Sequence, residues 1–173
     1  MKRLTLIMFL LFALALLNAS PAFCGALTMG AKASIYNPPQ EGASPSLMYG
    51  FFLDYEINKY VHTRADASYT SYSANGHNYT LMPITINLIA HFMPDGVIDP
   101  YLGGGIGYYS QTMDGAETSH TGAQAQAGLN FHMGAFSAAI EVSYIVPDLD
   151  HPEANSVSWG GWASGSTYMY VPF

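Results

Sequence analysis

Charged side chains are scarce in this sequence of 173 residues, and basic ones are the scarcest. Asp, Glu, Lys and Arg together make up 10% of the residues, against about 25% in typical soluble domains. The chain has five Lys and Arg residues and twelve Asp and Glu residues. Because nucleic acids are bound through clustered basic side chains, this balance excludes nucleic acid as an expected partner.

Cysteine is nearly absent, and long apolar runs are confined to the N-terminus. Cys24 is the single cysteine, so no disulfide can form within the chain. Residues 2–17 consist of two basic residues and an apolar run that is too short to span a bilayer well. This layout predicts a cleaved signal peptide over residues 1–26, with cleavage after Ala22 or Ala26. A signal anchor and lipidation of Cys24 are the alternatives.

Residues 27–173, the expected mature domain, lack the helical period and instead alternate between apolar and polar side chains. Clusters of Gly, Pro, Asn and Asp divide this alternation into segments long enough to cross a hydrocarbon core as tilted strands. There are eight of them, at 28–36, 47–57, 62–72, 79–93, 101–112, 121–131, 135–145 and 158–173. We therefore predict an all-β fold, an eight-stranded antiparallel up-and-down transmembrane β-barrel.

The two faces of these segments differ in composition. In the segment 79–93, one face is apolar and the other is mixed. The apolar face contains Met82, Ile84, Ile86 and Leu88, and the mixed face contains Thr85, Asn87 and His91. None of the fifteen charged residues after residue 26 lies on an apolar face. A lipid-facing exterior around a polar interior explains this segregation. The alternative is a soluble lipocalin-like barrel, but its outer face would need more charge than the polar faces carry.

The connections between segments are expected to differ at the two ends of the barrel. Residues 58–61, 93–99 and 132–134 predict short turns, which carry Lys59, Asp95 and Asp99. Residues 37–45, 73–78, 113–120 and 146–156 predict longer, acidic loops, which carry Glu41, Asp114, Glu117, Asp148, Asp150 and Glu153. Aromatic side chains predict a belt near each end, with Phe92, Phe131, Phe136 and Phe173 toward the turns and Tyr36, Tyr49, Tyr69, Tyr79, Tyr144 and Trp159 toward the loops.

A run of glycines interrupts the segment 101–112. Gly103, Gly105 and Gly107 share the face that we assign to the lumen, so three successive inward positions have no side chain. An eight-stranded barrel is just wide enough for its interior side chains. We expect these glycines to make room for large or charged side chains from the opposite wall, with Phe52, Arg64 and Glu141 as candidates. A phosphate-binding loop is excluded because no G-x-x-x-x-G-K motif occurs.

Six charged residues are predicted to point into the lumen: Lys32, Asp54, Glu56, Arg64, Asp66 and Glu141. A charge inside a barrel is costly unless it is paired, so Arg64 is expected to meet Glu56 or Asp54 across the second hairpin, and the other three to complete a network. Such a network is either a polar plug that fills the lumen or a gate on an ion path.

Two stretches carry a family resemblance. The stretch "PYLGGGIGYY" (100–109) resembles a strand common in small outer-membrane β-barrel proteins of the OmpA, OmpX and OmpW type. The ending "STYMYVPF" (166–173) resembles the C-terminal signal of such proteins, in Phe173, Val171 and Met169. The resemblance implies a multi-pass protein of the Gram-negative outer membrane. Its implied partners are the barrel-assembly machinery, outer-membrane lipids and lipopolysaccharide.

Motifs for catalysis and metal binding are missing from the sequence. The six histidines match no metal-ligand spacing, although His77, His120 and His151 in acidic loops leave a divalent-cation site open. No histidine is followed two residues later by serine, the pair that lipid A deacylases carry. We therefore expect no cofactor and a non-enzymatic envelope structural or surface-interaction role. The alternatives are a narrow porin-like channel, a soluble periplasmic binder and a lipid A-modifying enzyme.

Overall fold

The structure is a computed structural model that describes residues 26–153 and 155–167. Residues 1–25, which hold nearly all of the predicted signal peptide, lie outside the described residues. Met169, Val171 and Phe173 of the predicted C-terminal signal lie outside them too. Within the two described ranges, no helix is long and apolar enough to cross a membrane.

Eight antiparallel strands form one sheet that closes on itself, since β8 pairs with β1 as well as with β7. This arrangement confirms the predicted fold class. In a closed barrel the backbone hydrogen bonds are satisfied between strands, as a lipid environment requires. The strands are β1 (Leu27–Asn37), β2 (Ser46–Asn58), β3 (Val61–Ala74), β4 (His77–His91), β5 (Ile98–Met113), β6 (Ala116–Met133), β7 (Phe136–Val146) and β8 (Ser156–Thr167).

Apolar side chains cover the outside of the barrel, and most polar ones point inward. On β4, Leu88 is 57% exposed whereas the adjacent Asn87 is 1% exposed. The same alternation runs along β2 and β3. Because the large aliphatic residues face outward, the alternative of a soluble barrel with its apolar face inward is wrong.

The loops differ from expectation at two of four places. The stretches 73–78 and 113–120 were expected to form longer loops, but β3 and β4 are joined by Asn75 and Gly76 alone, and β5 and β6 by Asp114 and Gly115 alone. All four residues have positive φ, 51°, 81°, 47° and 90° in chain order. Asn-Gly and Asp-Gly favour the type I′ turn, whose twist matches that of the flanking strands. The polar residues around these turns therefore extend the strands.

We call the end of the barrel with connections 38–45, 75–76, 114–115 and 147–155 the loop end. The end with connections 59–60, 92–97 and 134–135 is the turn end.

Two acidic residues lie in strands and not in connections. Glu117 belongs to β6, because the hairpin before it is so tight. Asp99, predicted in a short turn, is the second residue of β5 and is fully buried. Its carboxylate accepts a hydrogen bond from the backbone N–H of Met93 at 2.9 Å and pairs with His91. These two bonds draw Asp99 into the mouth of the barrel.

Exposed aromatic side chains lie near both ends, with two corrections to the predicted belts. Phe92 and Phe136 are exposed at the turn end, where Phe131 is half-buried, and Tyr49, Tyr69, Tyr144 and Trp159 are exposed toward the loop end. Tyr36 is not in the belt, since its side chain is 1% exposed and packs inside against Tyr72. Tyr79 is half-buried and stacks on Tyr72, with ring centroids 5.2 Å apart. Tyr36 points inward because it lies an even number of residues from Lys32. Phe173 lies outside the described residues.

The two tight hairpins at the loop end are linked through Asp114. One carboxylate oxygen contacts Nδ1 of His77, and the other accepts the backbone N–H of Asn78 at 2.9 Å. These hydrogen bonds lower the pKa of Asp114 below its ordinary value, and the one with His77 has the larger effect. The link holds the start of β4 against the β5–β6 turn.

Candidate functional site in the barrel lumen

The lumen contains two apolar clusters separated by a polar layer. The cluster toward the loop end comprises Tyr36, Met48, Tyr72, Leu81, Tyr109 and Ile145. The cluster toward the turn end comprises Phe52, Ile89, Tyr101, Ala139 and Trp162. Along each of β2, β4, β5 and β7, the inward positions between the two clusters are polar residues, glycines or a proline. Of the charged residues predicted for the lumen, Lys32, Asp66 and Glu141 border this layer, whereas Asp54, Glu56 and Arg64 lie toward the mouth at the turn end.

Arg64 is the most buried charge of the network, at 2% exposure. Its Nε donates to Asp54 at 2.9 Å, and its Nη1 donates to Glu141 at 3.3 Å. The guanidinium carbon lies 4.7 Å from the ring centroid of Phe52 and 4.9 Å from that of Trp162. Two carboxylates and two aromatic rings therefore replace the water that the cation loses on burial.

Glu141 is itself held by further donors. The Tyr101 hydroxyl donates to its Oε2 at 2.7 Å, and Ser143 donates to its Oε1 at 3.3 Å. The indole Nε1 of Trp162 donates in turn to the Tyr101 hydroxyl at 3.0 Å. The result is a hydrogen-bonded chain from Trp162 to Arg64 that joins β8, β5, β7 and β3 across the lumen.

A second ion pair forms separately from the first. Lys32 Nζ lies 2.8 Å from Asp66. Asn87 donates to the other oxygen of Asp66 at 2.7 Å, and Gln124 donates to Asn87 at 2.8 Å. The predicted network is thus two hydrogen-bonded groups, Arg64 with two carboxylates and Lys32 with one.

Glu56 stands apart from both groups. It is half-buried on β2, opposite His62 in the strand register, and lines the mouth at the turn end. Among the described residues it makes no ion pair. Of the two partners expected for Arg64, the structure places Asp54 in contact, because Asp54 is directly opposite Arg64 in the register of β2 and β3.

Three residues of the site were missed in the sequence. Tyr101 donates to Glu141, Trp162 donates to Tyr101, and His62 contacts the second oxygen of Asp54 at 2.7 Å. Tyr101 shares the inward face of Gly103, but its partner Glu141 lies two strands away and no local pattern indicates the contact. Ser158, Trp162 and Ser164 lie an even number of residues apart and so share one face of β8. The polar serines on this face indicate that Trp162 points into the lumen.

The glycines of β5 make room for neighbouring strands. The nearest side-chain atoms to an added Cβ belong to Asn87 at Gly105 and to Thr85 at Gly107. At Gly103 they belong to Ile89 and Gln126. These side chains belong to β4 and β6, which flank the glycines, whereas Phe52, Arg64 and Glu141 were expected to fill the space. The glycines let the polar side chains of β4 lie flat against the wall, where Asn87 reaches Asp66.

Glycines elsewhere in the lumen lie under aromatic rings. A Cβ at Gly30 would fall inside contact distance of the Phe52 ring, and a Cβ at Gly128 inside that of the Tyr101 ring. Each pair is directly opposite in the strand register. The absence of a side chain at Gly30 and Gly128 therefore leaves room for Phe52, which contacts Arg64, and for Tyr101, which contacts Glu141.

Cavities remain in the interior of the described barrel, and a small one and a larger one border the charged residues. One, of about 20 Å³, lies beside Lys32, Asp66 and Glu141 and has room for about one water molecule. The other, of about 290 Å³, opens at the turn end beside Asp54, Arg64 and Trp162. The Arg64 group therefore lines the inner wall of the mouth.

A closed eight-stranded barrel with an apolar exterior and a polar interior is the architecture of a transmembrane β-barrel. Comparison with protein families agrees. The family described as "Outer membrane protein beta-barrel domain" matches residues 4–165. The chain belongs to this family and is an integral protein of the outer membrane.

Solved structures share this fold at low sequence identity. Neisserial surface protein A (NspA) superposes with a TM-score of 0.64 at 14% identity, over 83% of this chain and 97% of that chain. The N-terminal β-barrel domain of Pseudomonas aeruginosa OprF has a TM-score of 0.56 at 19% identity, over 83% and 99%. Ail of Yersinia pestis has a TM-score of 0.53 at 16% identity, over 82% and 96%. No curated protein sequence matches the chain.

Adding a methyl group inside the glycine wall is expected to destabilise the barrel. In Gly105→Ala the new Cβ overlaps the carbonyl of Ile86 and the side chain of Asn87, and such overpacking costs about 1–3 kcal/mol. Gly104→Ala is the control, since its Cβ points outward and meets only the Gln124 carbonyl, at 3.4 Å. Urea unfolding in detergent micelles measures both variants. Equal stability of the two would contradict the inward packing of Gly105.

Removing the buried cation is expected to destabilise the barrel strongly. Arg64→Met leaves Asp54 and Glu141 without their cation, and breaking a buried pair in this way costs about 3–5 kcal/mol. Lys59→Met is the matched control, because its ion pair with Asp95 is exposed at the turn end and such pairs contribute little. The free energy of unfolding of each variant is compared with that of the wild type. A cost for Arg64→Met no larger than that of the control would show that the network is dispensable.

Proposed function

We propose that this protein is a non-enzymatic outer-membrane barrel with a plugged lumen, whose rigid wall presents a surface for interactions at the cell envelope. The observation that carries the plug is the Arg64 group. Its hydrogen bonds join residues of β2, β3, β5, β7 and β8, and apolar clusters lie on both sides of the polar layer. The cavity in that layer is only about 20 Å³, which is too small for a hydrated ion to pass.

The interaction surface is at the loop end. The connections 38–45 and 147–155 are the long ones, and they carry Glu41, Asp148, Asp150 and Glu153. His120 contacts Asp148 at 2.9 Å and so ties the second of these connections to β6. Lipopolysaccharide phosphates repel such acids unless divalent cations bridge them, so Mg²⁺ or Ca²⁺ would mediate contact with this partner.

A similar fold has been solved with a sulfated ligand, but its chemistry does not transfer. The structure of Ail with the heparin analogue sucrose octasulfate has a TM-score of 0.54 at 13% identity to this chain. The acidic loops here would repel a polysulfate. The partner proposed for this chain is instead lipopolysaccharide, whose phosphates divalent cations bridge to the loop acids.

Conductance tests the plug. Wild-type protein in planar bilayers is expected to stay electrically silent, because the Arg64 group packs against the turn-end cluster and the Lys32 group lies in the polar layer behind it, so that together they fill the lumen. A mobility shift on boiling in detergent verifies that the inserted protein is folded. Steady single-channel conductance of folded wild type would overturn the plug and support the alternative, a narrow channel.

Replacement of the longest loop tests the surface role. A variant with residues 148–153 replaced by alternating Gly and Ser is expected to fold and to lose several-fold in Mg²⁺-dependent binding to lipopolysaccharide vesicles. Asp95→Asn, which removes an acid at the opposite end, is the control and is expected to bind as the wild type does. Unchanged binding of the loop variant would count against the surface role.

A further inference from the structure

The mouth at the turn end contains three histidines, of which His62 contacts the Arg64 group through Asp54. His62, His91 and His132 line this cavity of about 290 Å³, together with Asn130 and several carboxylates. Thr28, the second residue of β1, also lines this cavity. Its only basic groups among the described lining residues, Arg64 and Lys59, are already paired with acids.

His91 presents a free acceptor at this mouth. Its side chain is 4% exposed, and Nδ1 pairs with the buried carboxylate of Asp99. Within the described residues, Nε2 is buried and has no hydrogen-bond partner. Because the carboxylate fixes the proton on Nδ1, the lone pair of the imidazole is left on Nε2. Asn130, which lines the same cavity, also has a buried side-chain oxygen without a partner.

His62 repeats the arrangement beside it. Its Nδ1 lies 2.7 Å from Asp54, and its ring centroid lies 4.2 Å from that of His91. Two neighbouring imidazoles thus each have Nδ1 bound to a carboxylate and Nε2 left over. A carboxylate that orients a histidine in this way is the usual outer support of a metal-ligating imidazole.

We propose that this mouth binds a divalent transition-metal ion of the class that prefers imidazole, such as Zn²⁺, Cu²⁺ or Ni²⁺, through Nε2 of His91 and His62. The carboxylates of Asp54, Asp99 and Glu56 supply the negative charge that attracts the cation. No three His, Cys, Asp or Glu side chains of the described part of the chain converge as a ready metal cage. The ion therefore has two imidazole ligands, and water completes its coordination shell.

Copper binding tests the site directly. Folded protein in detergent micelles, purified without a polyhistidine tag, is titrated with Cu²⁺ by calorimetry, and the complex is examined by electron paramagnetic resonance. We expect one ion per chain and hyperfine splitting from two imidazole nitrogens. No saturable binding, or a spectrum without nitrogen ligands, would overturn the proposal.

Variants separate this site from the histidines at the loop end. His62→Gln and His91→Gln are each expected to weaken Cu²⁺ binding by roughly 10–100-fold or more. His151→Gln and His77→Gln, both exposed at the loop end, are expected to leave the affinity unchanged. The mobility shift on boiling verifies folding, and His62→Gln keeps the test decisive if the buried His91 variant does not fold. Equal affinity of His62→Gln and wild type would refute the site.

Discussion

A guanidinium buried inside a narrow membrane barrel is the constraint on which the rest of the lumen depends. Arg64 is 2% exposed, and the loss of its hydration has to be offset by groups fixed around it. Asp54 supplies one carboxylate from the neighbouring strand, and Glu141 supplies another from across the lumen. Aromatic rings of Phe52 and Trp162 cover the cation. Glycines opposite Phe52 and Tyr101 make these positions possible, since any side chain there would displace the rings.

The architecture follows from the sequence because strand alternation has a period of two. One residue of slip would bring every polar side chain of a strand to the lipid, so the segregation of Leu88 from Asn87 specifies both the register and the faces. The two short hairpins differ from the predicted loops because a polar stretch can form strand as well as loop. Asn75-Gly76 and Asp114-Gly115 favour two-residue hairpin turns by themselves. They set the length of these connections, and the surrounding Ser, Thr and Glu residues belong to the strands.

The candidate site was less predictable, for a physical reason. The partner directly opposite on an adjacent strand, Asp54 for Arg64, follows from the hairpin register. The contacts of Glu141 with Tyr101 and Arg64 cross the lumen between strands that do not pair, so they depend on the closure and diameter of the barrel. The division of the charges into two groups has the same origin. Glu56 was expected beside Arg64 because it lies on the same inward face of β2 as Asp54. It lies two residues nearer the turn end, at the mouth, where it makes no ion pair among the described residues.

Asp54 connects the plug to the mouth. One of its oxygens accepts from Arg64, and the other contacts His62 at 2.7 Å. The lumen charge that stabilises the closed interior therefore also orients a histidine facing the open cavity. The Asp54 carboxylate therefore supports both the buried Arg64 group and the histidines proposed to bind a metal ion.

The most direct test of this account is the nuclear magnetic resonance signal of the Arg64 Nε–H group in folded protein. We predict a resolved signal that exchanges slowly with water and that shifts in Asp54→Asn, because the proton is buried and donated to that carboxylate. A signal that exchanges with water as fast as that of a free arginine side chain would contradict the central claim, since the guanidinium would then lie in a hydrated lumen.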